Sequence, residues 1–194
     1  VKTPNGPLVV AVIIDITERK RRDKESTLAR LVQEAMLPEI PESLDGLEMA
    51  ARAEPADATG GDFYDLLHLA GGKTGLIIGD ASGHGFAAAL VTTTARSYLR
   101  ALSQIESDLS SILAKTNQLL INDVLDGRFV TLLYVAIDLD RMKIEYAGAG
   151  HVGYLVDRNG DLRSLLDNNG PPLGWFSDTD YPINSISIEH GDLL

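Results

Sequence analysis

Cysteine is absent from the 194 residues, which excludes disulfide frameworks, thiolate metal centres and cysteine nucleophiles together. Any metal held by this chain must sit on oxygen or imidazole. Basic residues are in deficit, 17 Lys and Arg against 28 Asp and Glu for a net charge of −11, which argues against tight binding to the phosphate backbone of nucleic acid and permits cation binding. Long apolar runs are missing as well. The longest, Leu8 to Ile14, falls far short of the ~20 residues that span a bilayer, and it lacks the basic start and small-residue cleavage pattern of a signal peptide. The chain therefore reads as cytoplasmic, with no membrane span in this segment. What is present, 44% hydrophobic residues, suffices for one sizeable core, or for one domain and part of another.

The apolar run "LVVAVII" (8–14) is β-branched and follows the turn-forming "TPNGP", so it reads as a buried strand. Asp15 and Glu18 have the spacing of an N-terminal capping pair, and "TERKRRDKE" supplies a charged helix with a solvated surface. From Leu28 onward Leu28, Leu31, Val32, Ala35 and Met36 recur at helical spacing, closed by Pro38 and Pro41. That stripe needs a partner, either a second chain or the domain that follows. Strands are then expected at Leu47–Ala53, Phe63–Leu69 and Gly75–Gly79, with turns at Gly60-Gly61 and Gly71-Gly72. Two helices follow. Phe86–Gln104 carries Leu90, Val91, Thr94, Tyr98 and Leu102 on one face, and Leu109–Leu125 carries Ile112, Leu113, Thr116, Leu119 and Leu120. Strands return at Phe129–Asp138, Lys143–Ala147, Gly153–Val156, Leu162–Leu165 and Ile183–Ile188. Strand blocks separated by a helix block, without repeats or low-complexity tracts, point to α+β with mainly antiparallel sheets.

Two aspartates carry the chemistry. "GGDFYD" puts Asp62 at the start of one strand, and "IIGDASGHG" puts Asp80 at the end of another. If those strands form a hairpin, the two carboxylates are neighbours at one edge. Two unpaired carboxylates repel, so either one acquires a raised pKa or a hard cation sits between them. No basic residue lies in either motif, and Mg²⁺ or Mn²⁺ suits such oxygen donors, with glycines letting backbone carbonyls approach the ion. Asp beside Gly is equally a common turn former, and the pattern alone leaves both readings open. A direct phosphate cradle is disfavoured: "GDASGHG" has no lysine and does not fit the G-x-x-x-x-G-K-[ST] spacing. A metal-mediated phosphate site stays open.

Five segments in order, "VQEAMLP" (32–38), "GGDFYD" (60–65), "GDASGHG" (79–85), "AGAGHVGYL" (147–155) and "GPPLG" (170–174), resemble the metal-dependent protein phosphatases (PPM), in the bacterial branch of the stage II sporulation phosphatase and stress sigma-factor regulators. The resemblance runs from about Leu31 to the last residue. It implies two packed antiparallel β-sheets flanked by helices, with the strand and connector helix in front. It also implies hydrolysis of phosphoserine or phosphothreonine on a protein, often a STAS-domain anti-anti-sigma factor. Two Mn²⁺ or Mg²⁺ ions would hold the attacking water, with Asp62 and Asp80 as catalytic metal-ligand aspartates and the Ala81 backbone carbonyl completing the site. Separately, "VVAVIIDITERK" resembles the last strand and exit of a PAS sensor domain. The implied division is 1–16 as the end of that sensor, 17–43 as helical connector and 44–194 as an incomplete phosphatase domain. In that division Leu28–Leu37 is a helical switch that pairs with a second copy and orders the metal site.

The family expects the strand at "HGDLL" (190–194) to lead into a threonine-aspartate-glycine motif and later aspartates that supply further ligands. The segment as given is therefore expected to bind metal weakly and to have little activity. His84 is a candidate general acid by its place in the loop, with loop structure as its default role, and His151 reads as a structural histidine in a glycine turn. His68 and His190 have no partner at ligand spacing. Asp65 alternates onto the Phe63 side and stays outside the metal set, and "GPPLGW" is either a substrate-groove loop or a plain turn. Two other functions compete with the phosphatase: a non-catalytic binding module of the same fold, and a metal-dependent hydrolase of nucleotides or small phosphoesters.

Overall fold

The computed structural model describes residues 2–3, 6–7, 14–44, 46–54, 59–124 and 127–194. The strand expected at 8–14 lies outside these residues except for Ile14, which is exposed. A short hairpin of β1 (Lys2–Thr3) and β2 (Gly6–Pro7) precedes α1 (Thr17–Met36). The charged and amphipathic stretches are thus one continuous helix. The expected cap is displaced: Ile16 occupies the cap position, and Asp15 Oδ1 accepts the Thr17 N–H at 2.9 Å from one residue further out. Leu28 and Leu31 stay about half exposed and Ala35 is exposed, while Leu37 packs on the core. Among the described residues, the end of α1 reaches the rest of the domain through Gln33, Met36 and Leu37.

Next come β3 (Ser43–Leu44) and β4 (Leu47–Glu48), which pair around Gly46 at φ +93°. The seven-residue strand expected at Leu47–Ala53 is reduced to this two-residue piece, since the chain leaves the ladder after Glu48. The main body is β5 (Asp62–His68), β6 (Thr74–Ala81), α2 (Gly85–Ser103), α3 (Leu109–Asp123), β7 (Val130–Asp138), β8 (Lys143–Ala149), β9 (Gly153–Val156), β10 (Leu162–Leu166) and β11 (Asn184–Ser187). Five of these strands make one antiparallel sheet in the order β11-β8-β7-β6-β5, and β9 and β10 form a second, two-stranded sheet. The fold is α+β.

Central strand β7 shows why its sequence "VTLLYVAID" reads as a nearly unbroken apolar run: both of its faces are covered. Leu132, Tyr134 and Ala136 join the helix-side core with Leu99, Ile112, Leu113 and Leu120. Leu133, Val135 and Ile137 join Ile144, Tyr146, Leu155 and Leu166 in a second core under β9 and β10. The two helices therefore cover one face of the large sheet and the small sheet covers the other. No helix among the described residues is long and apolar enough to cross a membrane.

The buried face of α2 differs from the expected one. Ala88, Thr92, Ala95, Leu99 and Ser103 face inward, whereas Leu90 is 52% exposed and Thr94, Tyr98 and Leu102 are only half-buried. Of the expected face Val91 is buried and Tyr98 and Leu102 pack on the core from its margin, while the helix meets the sheet along a line of small side chains and Leu99. On α3 the expected stripe holds except at Leu119, which is partly exposed, with Leu109 and Asn117 buried in addition.

Asp65, on β5, is almost wholly buried and is neutralised from α2. Arg100 Nε donates to Asp65 Oδ2 at 2.6 Å, and Arg96 Nη2 donates to Oδ1 at 3.3 Å. Arg96 Nε stands 3.1 Å from Oδ2 without its N–H aimed at it. Removing one member of a buried ion pair leaves an uncompensated charge, which typically costs more than the pair itself contributes. Asp65→Ala should therefore lower stability by about 3 kcal/mol, read as a shifted midpoint in urea unfolding, while Arg141→Ala, at an exposed pair with Asp138, should move it by less than about 1 kcal/mol.

Candidate metal and phosphate site

The register of the β5–β6 hairpin sets the site. Asp62 and Asp80 are direct partners across it, at the open end of the ladder, followed inward by Phe63 opposite Gly79. Directly opposed residues on antiparallel strands place their Cα atoms about 4.5–5.5 Å apart. Burial pushes the Asp80 carboxyl above its ordinary value, the neighbouring Asp62 charge adds to the rise, and His151 works against it. Asp62 is the exposed member and Asp80 the half-buried one.

Gly61 is the residue that lets these groups converge. A Cβ built on it would stand 2.4 Å from both Ala81 O and Asp80 Oδ1, so the two oxygens turn toward one point that no side chain other than hydrogen can share. The same turn is held by backbone and hydroxyl contacts. Ala81 N–H donates to Gly61 O at 3.0 Å, and Thr92 Oγ1 on α2 donates to it at 2.8 Å. The donors present, two carboxylates and a carbonyl, are hard oxygens and fit Mg²⁺ or Mn²⁺ better than any softer ion. Among the described residues no group of three or more His, Asp and Glu comes together; an ion here would complete its sphere with water, as Mg²⁺ commonly does.

After Ala81 the chain is laced to the start of β7. Ser82 N–H donates to Phe129 O at 2.8 Å, Phe129 N–H donates to Ser82 Oγ at 3.0 Å, and Arg128 Nη1 donates to Ser82 O at 3.1 Å. His84 is exposed at the start of α2, and its side chain caps nothing. His151 is better placed. Its Nδ1 lies 3.3 Å from Thr131 Oγ1, which in turn donates to Asp80 O at 3.3 Å. His68 and His190 are exposed at strand and turn ends away from this edge. The "GPPLGW" loop is pinned to β7: Leu173 and Val130 exchange backbone hydrogen bonds at 2.8 and 2.9 Å. Buried Asn117 accepts from Gly174 N–H and donates to Phe176 O, both at 2.7 Å, and Trp175 stacks between Phe129 and Phe176.

One contact joins the connector to the site. The Gln33 carboxamide meets the Gly60 peptide on both sides: Nε2 donates to Gly60 O at 2.7 Å and Oε1 accepts from Gly60 N–H at 3.2 Å. Gln33, Thr92, Arg128 and Thr131 all escape a reading for carboxylates and histidines. For Gln33 the available signal is a polar residue inside an apolar helical stripe.

Residues 70–194 match the family described as Stage II sporulation protein E (SpoIIE). The chain belongs to the SpoIIE family. Asp80 and Ala81 fall inside the matched part of this SpoIIE domain, and Asp62 falls just ahead of it. Phosphoserine phosphatase RsbP of Bacillus subtilis (strain 168) is 29% identical over an alignment of 183 residues that covers 88% of this chain and 43% of RsbP. Phosphoserine phosphatase RsbU of the same organism is 27% identical over 174 residues, 88% of this chain and 51% of RsbU. The SpoIIE domain here spans about half the length of the curated relatives it matches. Among solved structures, the SiaA-PP2C domain of Pseudomonas aeruginosa superposes with a TM-score of 0.75 at 24% identity, over 92% of this chain and 72% of that one. The fold is that of a PP2C domain.

Two outcomes follow for the oxygens of this edge. Gly61→Ala should displace Asp80 or the Ala81 carbonyl and weaken Mn²⁺ binding by at least ~10-fold in calorimetry. The raised Asp80 pKa means that its ionised form is disfavoured by folding, a cost present at neutral pH and relieved as pH falls through the folded value. Asp80→Asn should therefore raise the metal-free melting temperature at pH 7, and the gain should vanish toward pH ~3, where the native carboxyl is protonated as well.

Proposed function

We propose that this SpoIIE domain is the catalytic part of a metal-dependent phosphatase acting on phosphoserine or phosphothreonine in a regulatory protein. The observation that carries the reading is the Asp62–Asp80 rung, with the Asp80 carboxylate and Ala81 carbonyl turned together beside Gly61. Asp62, Asp80 and the Ala81 carbonyl would hold two Mn²⁺ or Mg²⁺ ions. When bound, those ions supply a water acidic enough to attack at neutral pH and charge to offset the phosphate. The protein's own part is to aim the oxygens: Gly61 leaves them room, Thr92 fixes the Gly61 carbonyl, and the Thr131 hydroxyl links the Asp80 carbonyl to His151. The family and the two phosphoserine phosphatase relatives support this chemistry; a phosphorylated STAS-domain protein is the substrate we propose from the sequence resemblance.

Control is proposed to enter through α1. Residues 1–16 as the end of a PAS-like sensor, 17–43 as connector and 44–194 as phosphatase domain remain the working division. The Gln33 carboxamide gives the connector a direct hold on the peptide two residues ahead of Asp62. Leu28 and Leu31, exposed on the same helix, are available to a second copy of the chain.

Full-length protein supplied with Mn²⁺ should release phosphate from a phosphorylated STAS-domain protein, and Asp80→Asn should lower the rate by at least ~100-fold. Turnover of a nucleotide with no release from any phosphoprotein would reverse the reading in favour of a small phosphoester hydrolase. Gln33→Ala should reduce the rate by about 10-fold or more at limiting Mn²⁺, with less effect at saturation.

A further inference from the structure

The oxygens of the Asp62–Asp80 edge can hold metal but offer a phosphate no hydrogen-bond donor. A phosphate monoester at neutral pH is close to a dianion, and it would approach two opposed carboxylates on a chain of net charge −11. Most basic side chains nearby are committed elsewhere. Arg96 and Arg100 neutralise Asp65. Lys73 and Lys143 pair with Glu145, at the Thr74 end of β6, six residues and so about 20 Å along the strand from Asp80.

Arg128 differs from these. Its guanidinium lies against the loop that leaves Ala81, and among the described residues it has no carboxylate partner; its hydrogen bond goes to the Ser82 carbonyl at 3.1 Å. That one bond leaves most of its five N–H donors unused. Its place is fixed by its neighbour, since Phe129 exchanges two hydrogen bonds with Ser82 and stacks on Trp175 at 4.7 Å. The loop is shaped to receive it: Gly83 sits at φ +93°, and a Cβ there would come within 2.5 Å of Arg128 Nη1. The positive φ favours glycine at position 83, and the missing side chain leaves room for the guanidinium.

We infer that Arg128 is a substrate-binding residue, its guanidinium hydrogen-bonding the non-bridging oxygens of the phosphoryl group presented to the Asp62–Asp80 edge. A planar fork of donors matches two phosphate oxygens at once, which a lysine point charge does not. The assignment rests on the phosphatase reading and deepens it: the ligand class is a phosphate monoester, and its dianion is held from the β7 side while metal is held from the β5–β6 side.

The test uses full-length protein with Mn²⁺, a phosphoserine peptide as substrate and inorganic phosphate as competitor, with Arg128→Met and Arg128→Lys as variants. Arg128→Met should raise KM and the phosphate inhibition constant by about 10-fold or more, with a smaller change in kcat and unchanged Mn²⁺ affinity in calorimetry. Arg128→Lys should recover part of the loss. Unaltered KM and phosphate inhibition in a folded Arg128→Met protein overturn the assignment. So does a joint fall in Mn²⁺ affinity and kcat at constant KM, which would make Arg128 a support of the loop alone. If wild-type protein releases no phosphate, the phosphatase reading fails by itself. Calorimetric binding of inorganic phosphate to the Mn²⁺-loaded protein then decides for Arg128: weaker binding in Arg128→Met sustains it and equal or absent binding overturns it.

Discussion

Two like charges share one rung of an antiparallel ladder, and much of the domain is arranged to keep them there. Left alone, Asp62 and Asp80 would separate or one would take a proton, which is the direction in which Asp80 is already moved. What resists is register. A slip of one residue would turn Phe63 and Ile77, both buried, out of the helix-side core and bring their polar neighbours in. Asp65 adds a second lock three residues into β5, since only this register presents its carboxylate to Arg96 and Arg100 on α2. Hydrophobic burial and one buried ion pair thus hold an electrostatically unfavourable arrangement in place.

The same economy explains where the polar groups lie. Thr92 reaches Gly61 from α2, Thr131 reaches Asp80 from β7, and Ser82 is tied to Phe129 from the loop side. Each comes from a different element; the first two grip backbone groups in or beside the opposed pair, and the third ties the following loop to the head of β7. The edge is therefore fixed by its main chain, leaving the carboxylates themselves free to meet a ligand. Asn117 performs a similar service for the aromatic loop, satisfying both Gly174 and Phe176 from a buried position on α3.

Much of this was legible in the residues. The β5–β6 hairpin, both long helices and the returning strands follow from apolar periodicity and glycine punctuation, and the pairing of Asp62 with Asp80 follows from the hairpin. Two readings failed for physical reasons. Leu47–Ala53 has strand-like composition, yet a strand needs a partner ladder, and only Ser43–Leu44 is offered. On α2 the expected face holds at Val91, but close helix–sheet packing centres the buried face on Leu99 and the small Ala88, Thr92, Ala95 and Ser103. The supporting contacts from Gln33, Thr131 and Arg128 span 20 to 51 residues of sequence, and no local pattern encodes a meeting of that kind.

The carboxamide of Gln33 grips a single peptide unit by both its N–H and its C=O, and a helix turns about 100° for every residue while rising only about 1.5 Å. A slide of α1 along its axis by a fraction of that rise stretches two hydrogen bonds without breaking their alignment. A roll of the same helix by a fraction of a turn swings the carboxamide off Gly60 altogether. On the proposed reading of α1 as a connector, this contact answers to rotation of the helix about its own axis.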